Sequence, residues 1–413
     1  MTPPLVLLES YAAARDPDSF AFLDPCGEMV ARTPGEVLPA LRELARATAG
    51  GLHSAGYLGY EAASGLDPVL RTRAAAADLP LLWFGLFRHR QAVAPGSLRA
   101  TGPYTLTDWQ PTVTRPDFDA AIGRVRRYIA AGDTYQVNYT FRMRARLEGD
   151  DRALYRDLCR SQRASYCAYL DLGRYRLLSA SPELFLSLRD GVLTSRPMKG
   201  TRPRGRWPAE DDDLAAALVG SPKDRAENVM IVDLLRNDLG RVSAVGSVGV
   251  PRLWEVERYE TVLQMTSTVT SRLRPGVGLV ELMQALFPCG SITGAPKVRT
   301  MEIIAELESS PRGVYTGAIG CISPGPECRF SVAIRTAVLD TADGALEFGV
   351  GGGITWDSSA AGEYEECLVK ARLLRERRPD FDLLETMLHE PGAGYFLLER
   401  HLERLASSAR YFG

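Results

Sequence analysis

Asp190-Gly191 stands between two apolar runs, Leu184 to Arg189 and Val192 to Thr194. A two-residue Asp-Gly link of this kind is a strong β-hairpin signal, so this part of the chain is held to antiparallel strands. The hairpin leads into Ser195-Arg-Pro-Met-Lys-Gly-Thr-Arg-Pro-Arg204. Pro197 stiffens the approach to Lys199, and Gly200 lets the backbone come close to a ligand. Lys199 is therefore expected to leave the end of a strand on a rigid support. A lysine so placed acts as a nucleophile if its surroundings lower its pKa. The plainer alternative is an exposed loop lysine paired with a neighbouring acid.

Around the hairpin, short apolar runs alternate with helical patterns. Leu5 to Leu8, Ala55 to Tyr60 and Leu81 to Phe87 read as strands, Pro34 to Ala49 as a helix, and Pro95 to Pro111 as a connection. Asp117 is expected to cap a helix whose apolar positions are Phe118, Ile122, Val125 and Ile129, ending at Gly132. Gln136 to Leu147 alternates like a strand, Arg152 to Ser161 reads as a helix, and Tyr166 to Leu172 and Tyr175 to Ser179 read as strands. Ser221-Pro222 opens a helix that runs to Gly240, with Ser as N-cap and Pro in its first turn. Pro296 opens another. Strand signals return at Gly317 to Ile322, Phe330 to Leu339 and Ala345 to Val350, before a last core helix near Gly362. The expected fold class is α+β, with an α+β region over 1–110, a core over 116–375 and a short segment over 380–413 after the break at Pro379-Asp380.

Composition excludes several classes. A net charge of -2 gives no electrostatic case for nucleic acid or an anionic membrane surface. Local Arg-rich stretches, Arg202 to Arg206 and Arg372 to Arg378, read as solvated faces. Seven scattered cysteines with no C-x-x-C pair argue against a disulfide framework or zinc site, and for a reducing cytoplasm. Four dispersed histidines give no metal site or triad. The start, Met1-Thr-Pro-Pro, lacks a signal peptide's features, and no apolar run approaches the roughly 20 residues that cross a bilayer.

The chemistry lies in misplaced carboxylates. On the Ser221 helix, Glu227 and Asp238 share a face with Met230, Ile231 and Leu234. A buried carboxylate needs a partner or a metal, and an ion pair with Arg236 or Arg241 is the structural alternative. On the last core helix Glu363, Glu366 and Lys370 share a stripe with Cys367, Ala371 and Leu374; a surface Glu366 to Lys370 pair is the alternative there. Gly351-Gly352-Gly353, just upstream, offers backbone N–H groups to an anion. Neither Gly349 to Ile354 nor Gly290 to Lys297 fits a nucleotide-binding glycine motif. Three carboxylates from two helices suit Mg²⁺, and basic groups such as Arg335 and Lys370 beside them suggest a carboxylate-rich substrate. Glu183, among apolar neighbours, would hold its proton longer and serve as a general acid.

Taken together, these stretches resemble the chorismate-utilising family of anthranilate, aminodeoxychorismate, isochorismate and salicylate synthases. The likeness runs from about residue 116 to 375 and more weakly through the N-terminal region. It is carried by Gly132-Asp-Thr-Tyr-Gln-Val-Asn138, Ser-Pro-Glu at Glu183, Pro197 to Thr201, Lys223-Asp-Arg-Ala-Glu-Asn228 with Val232 to Asp238, and Gly290 to Lys297. Tyr315-Thr-Gly317, Ala333-Ile-Arg335, Gly351 to Gly353 and Gly362-Glu-Tyr-Glu-Glu366 complete it. The resemblance implies packed antiparallel sheets with helices outside, as in anthranilate synthase component I. It implies Mg²⁺ on Glu227 and Glu366, with Glu363 adjacent or bonding through water. Tyr315, Arg335, Ser291, Gly200, Thr201, the backbone of Gly351, Gly352 and Gly353, and Lys370 would hold the two carboxylates of chorismate. Glu183 would protonate the departing ring hydroxyl.

Within the family, water-activating members carry a lysine where Gln136 stands, and anthranilate synthases carry Ala where Lys199 stands. A Pro-x-Lys-Gly-Thr run looks like the component I branch of aminodeoxychorismate synthases, which work through a covalent lysine intermediate on the route to p-aminobenzoate and folate. Anthranilate or aminodeoxyisochorismate synthesis, and a non-catalytic chorismate-binding module, are the alternatives. Many relatives carry His close to Gln264, where some use it to eliminate pyruvate. No Gly-x-Cys-x-Gly elbow is present, so ammonia is expected from a separate glutamine amidotransferase subunit or from solution. Leu7-Leu-Glu-Ser10 resembles a tryptophan-binding segment of some relatives, or is a plain strand end. The tail from Phe381 looks like the opening of an aminodeoxychorismate lyase, with Leu398, Leu402 and Leu405 as the apolar face of its helix, and no lyase activity is expected from it.

Overall fold

In the computed structural model, which describes residues 5–12, 18–76, 78–260, 262–325, 327–374 and 381–412, Asp190 and Gly191 both take positive φ, 51° and 72°. That is the twist a two-residue hairpin requires, and it closes Leu184–Arg189 onto Val192–Arg196. The expectations placed on Met1 to Pro4, most of Arg372 to Arg378, and Pro379-Asp380 lie outside the described residues.

Antiparallel ladders join most strands into one path. Its first part runs from Gln136–Gly149 through Ala345–Ile354, Thr336–Asp340, Tyr175–Ser181 and Tyr166–Asp171 to Leu5–Glu9. Leu5–Glu9 also pairs with Phe20–Ala31, and the path continues through Leu82–Ala92, His53–Leu58, Ala318–Ser323 and Glu327–Val332 to the hairpin. Val262–Arg272 follows, carrying both Met198–Pro203 and Gly249–Arg258. Side chains of the two parts meet in one buried cluster: Val6, Leu8, Leu170 and Leu177 with Tyr57, Trp83, Phe87 and Ile319. Helices cover the outer faces. Pro34–Ala49, Pro222–Gly240 and Leu279–Leu286 pack on the second part through Leu41, Ile231, Leu235 and Leu282. Arg115–Ala130, Asp151–Gln162, Lys297–Leu307 and Ala360–Ala371 cover the first through Phe118, Leu158, Ile303 and Cys367. This is the α+β arrangement of packed antiparallel sheets with helices outside. Strands covered on both faces have no polar side to display, which is why Leu82 to Phe87 reads as an unbroken apolar run.

Ser221 caps its helix as expected, accepting from the Asp224 N–H, and the helix ends at Gly240. Three expectations need correction. Asp117 is not the cap of its helix: Thr114 is, accepting from the Asp117 N–H, because Pro116 fits the first turn and lets the helix begin at Arg115. Phe330 to Leu339 is two strands, Glu327–Val332 and Thr336–Asp340, broken where Arg335 takes a φ of 53°. Within Pro95 to Pro111, Tyr104–Leu106 and Gln110–Pro111 are short strands on Gln136–Gly149. Strands Gly249–Arg258 and Val262–Arg272 and helices Pro208–Gly220 and Leu279–Leu286 were not anticipated.

The tail forms a hairpin, His389–Glu390 with Gly394–Tyr395, and a helix, Leu398–Phe412. No residue of that helix is buried, and Leu402 is 48% exposed. It touches the core through Tyr411, whose hydroxyl donates to Gly205 O while the Arg204 guanidinium lies over its ring. At the N-terminal segment, Glu9 is buried and accepts from Tyr155 Oη and the Gly96 N–H. The cavity beside it measures about 20 Å³. Among the described residues no helix is long and apolar enough to cross a membrane.

One buried ion cluster ties the core together. The Arg312 guanidinium donates to both oxygens of Glu308, to Asn138 O and to Ile292 O. Its own N–H goes to Glu61, and Glu308 also accepts from Thr140 N and Oγ1. Removing one partner leaves a buried charge uncompensated. Arg312→Leu should therefore lower unfolding free energy by roughly 3–5 kcal/mol. Urea denaturation measures it, and a wild-type midpoint would contradict the role.

Candidate active site

Lys199 owes its direction to a bulge. Met198–Pro203 pairs with Val262–Arg272 at Met198↔Thr266 and Thr201↔Gln264, so Lys199 and Gly200 together face the single residue between. A two-against-one bulge bends the strand and re-aims a side chain. Gly200 makes it possible: its φ is 92°, and a Cβ there would lie 3.1 Å from the Asp224 Cβ. Lys199 is partly buried and lines the cavity. Burial holds its amine below the ordinary value of 10.5, with Glu227 and Glu183 offsetting part of the effect.

The cavity that receives it encloses about 380 Å³. Glu183 enters from the Pro182-Glu183 link and is almost wholly buried, with no hydrogen-bond partner for Oε1. Burial pushes its carboxyl up to about 7, against the Ser291 hydroxyl, the Lys199 charge and the Met198 N–H. Arg335 reaches the cavity because the chain breaks between strands there. Its guanidinium donates to Lys370 O, and burial lowers its pKa to about 10.

Ala345–Ile354 forms another wall. It pairs with Gln136–Gly149 along its length, but its ladder to Thr336–Asp340 covers only Ala345 to Phe348. The glycines beyond that point make room. A Cβ on Gly349 would overlap the Tyr315 ring. One on Gly352 would come 2.9 Å from Glu363 Oε2, and one on Gly353 would overlap Gln136 Nε2 and lie 3.0 Å from Lys199 Nζ. Their service is close approach of side chains; Gly349, Gly351 and Gly352 are themselves buried. Lys370 Nζ donates to Gly351 O at 2.8 Å and pairs with Glu366 at 2.6 Å. That pair exists as the sequence suggested, but it lines the cavity. Burial and the nearby Arg335 tend to lower the Lys370 pKa, yet Glu366 and Cys367 leave it raised.

Lys199, Glu183, Gly200, Thr201, Ser291, Tyr315, Arg335, Gly351, Gly352, Gly353, Lys370, Glu227, Glu363 and Glu366 all line this one cavity. The two inward carboxylates of the Pro222–Gly240 helix part company. Asp238 forms a structural pair with Lys297, while Arg236 turns to Asp233. Glu227 faces the cavity, its pKa raised by burial and by Asp224 and Glu363, and lowered in part by Lys199 and Lys223. Lys223, four residues earlier on the same helix, also lowers Glu363 and Glu366. It was missed as a site residue, although its spacing from Glu227 marks a shared face. Asn138, Pro182, Met198 and Ile334 are further wall residues that went unsingled.

Among the described residues no three acidic, His or Cys side chains converge as a ready metal cage. The charges nevertheless fit a cation. Glu227 and Glu363 both sit above their ordinary pKa, burdened by burial and by other carboxylates. Glu363 also accepts from Ser358 Oγ at 2.6 Å, which fixes its orientation.

Residues 10–376 match the family described as chorismate binding enzyme. The chain belongs to that family. It is 48% identical over 265 residues to an aminodeoxychorismate synthase of Streptomyces griseus, covering 63% of this chain and 36% of that one. It is 44% identical over 275 residues to aminodeoxychorismate synthase component 1 of Klebsiella aerogenes, covering 66% of this chain and 60% of the relative. The match thus spans less than two thirds of either relative. The solved anthranilate synthase component I from Streptococcus pneumoniae TIGR4 superposes with a TM-score of 0.74 at 27% identity, over 86% of this chain and 92% of that one. The family match ends at 376, before the tail.

Glu183 gives a pH signature. An acid whose pKa rises on folding keeps a proton that the unfolded chain has released, so stability falls as pH climbs between the two values. From 4.5 to about 7, wild-type stability should drop relative to Glu183→Gln by on the order of 3 kcal/mol. Denaturation at a series of pH values checks this, and a flat difference would contradict the raised pKa.

Proposed function

We propose that the chain converts chorismate and ammonia to 4-amino-4-deoxychorismate through a covalent adduct on Lys199. The observation that carries the reading is that one cavity holds an amine biased toward its neutral form and a carboxyl biased toward its protonated form. The neutral Lys199 amine attacks one end of the conjugated ring diene. The double bonds shift, and the ring hydroxyl leaves as water from the saturated carbon next to the far end of the diene, taking its proton from Glu183. Ammonia then adds where the hydroxyl was, the double bonds shift back, and Lys199 departs as the free amine. Splitting one hard displacement into two easier ones is the gain from the covalent route. A lysine also separates this reading from anthranilate formation, where the resemblance expects Ala at that position.

Chorismate is a dicarboxylate, and the cavity's basic and N–H groups suit it. Arg335, Tyr315, Lys370, Ser291, Gly200 and Thr201, with the backbone of Gly351, Gly352 and Gly353, are the proposed carboxylate-binding set. Glu227 and Glu366, with Glu363 beside them, would hold Mg²⁺, which when bound neutralises the substrate's ring carboxylate. A glutamine amidotransferase subunit is the proposed ammonia source, in keeping with relatives called component 1. Seven free thiols suit a reducing cytoplasm.

With chorismate, ammonium and Mg²⁺, the wild-type chain should give a product of the mass of 4-amino-4-deoxychorismate. Lys199→Ala should give none while still binding chorismate. Mass spectrometry and calorimetry read the two outcomes, and unchanged turnover in the variant would refute the covalent role.

A further inference from the structure

The bulge that turns Lys199 inward has a lock. A bulged residue loses its regular ladder partner, and Gly200, with no Cβ, adds conformational freedom at the same place. A slip of one residue in this strand would send the Lys199 side chain to the opposite face, away from the cavity. Gln264 stands opposite Thr201 on the partner strand. Its Nε2 donates to Gly200 O at 2.9 Å, and its Oε1 accepts from Thr201 Oγ1 at 3.0 Å. A carbonyl can only accept, so the NH₂ end must face Gly200 and the oxygen must face the hydroxyl. Both ends of one planar group are thereby bound to the two residues that follow Lys199. Behind them, Arg202 is tied to Asp224 at 2.9 Å on the Pro222–Gly240 helix.

We propose that Gln264 is the positioning residue for the Lys199 amine, its carboxamide holding the bulge at Gly200 and Thr201 in the register that directs Lys199 into the cavity. The proposal rests on the function above for the amine's purpose, but its geometry is testable without turnover. Gln264→Leu and Gln264→Met remove the carboxamide and keep a neutral side chain of similar size. Two readouts apply: steady-state kinetics, and the pH dependence of Lys199 carbamylation by cyanate, followed by peptide mass spectrometry. In both variants kcat should fall about tenfold or more while the KM for chorismate stays within about threefold. The carbamylation midpoint of Lys199 should move up toward that of an ordinary lysine. Variants that fold like wild type and keep both the wild-type kcat and the wild-type carbamylation profile would overturn the proposal. If one variant unfolds, the other decides. If the wild-type chain makes no product from chorismate, the functional reading fails, and the carbamylation profiles still judge the role of Gln264.

Discussion

Charges of both signs are buried around one cavity, and each must be balanced by its neighbours. Isolated, any of them would cost far more to desolvate than a protein's net stability. Lys370 and Glu366 meet the constraint by pairing and remaining charged. Lys199 and Glu183 meet it the other way, each drawn toward its neutral form by burial. The same desolvation that makes the site costly therefore biases one amine toward its free base and one carboxyl toward its acid form within a single cavity. Glu227 and Glu363 are also held above their ordinary pKa, chiefly by burial, with Lys223 offsetting part of the effect at both.

Several irregularities of the fold border this cavity, although others, such as the register shifts at Pro25 to Gly27 and between Gly249 and Glu255, do not. Around the cavity lie a bulge at Lys199 and Gly200, a strand break at Arg335 with positive φ, and a strand of glycines that admits Tyr315, Gln136 and Glu363. Such departures persist where surrounding structure over-determines them. Here the surroundings are the Arg312 cluster, which holds Asn138 and Ile292 from behind, and the helices whose buried faces fix Glu227 and Glu363.

Much of this was legible in the sequence, for identifiable reasons. The Asp190-Gly191 hairpin and the Ser221 cap are decided by a few adjacent residues, and local rules read them correctly. Carboxylates on apolar helical stripes pointed to Glu227 and Glu366 before any resemblance was invoked, although the same argument could not separate Glu227 from Asp238. That difference lies in Lys297, nearly sixty residues away and met only in the fold. Phe330 to Leu339 looked continuous because nothing local announces a left-handed Arg335. The Arg312 cluster escaped notice because a buried arginine and a surface one look the same in a sequence. Glu183 and the proposed carboxylate-binding set came together mainly through the family resemblance, and all of them line the one cavity.

The account turns on the state of one amine, and ¹⁵N NMR titration of Lys199, assigned by its loss in Lys199→Arg, measures that state directly. The account predicts a Lys199 pKa below the ordinary 10.5 in the folded chain without substrate. A Lys199 that titrates at or above that value would mean an amine held as a cation, and would contradict it.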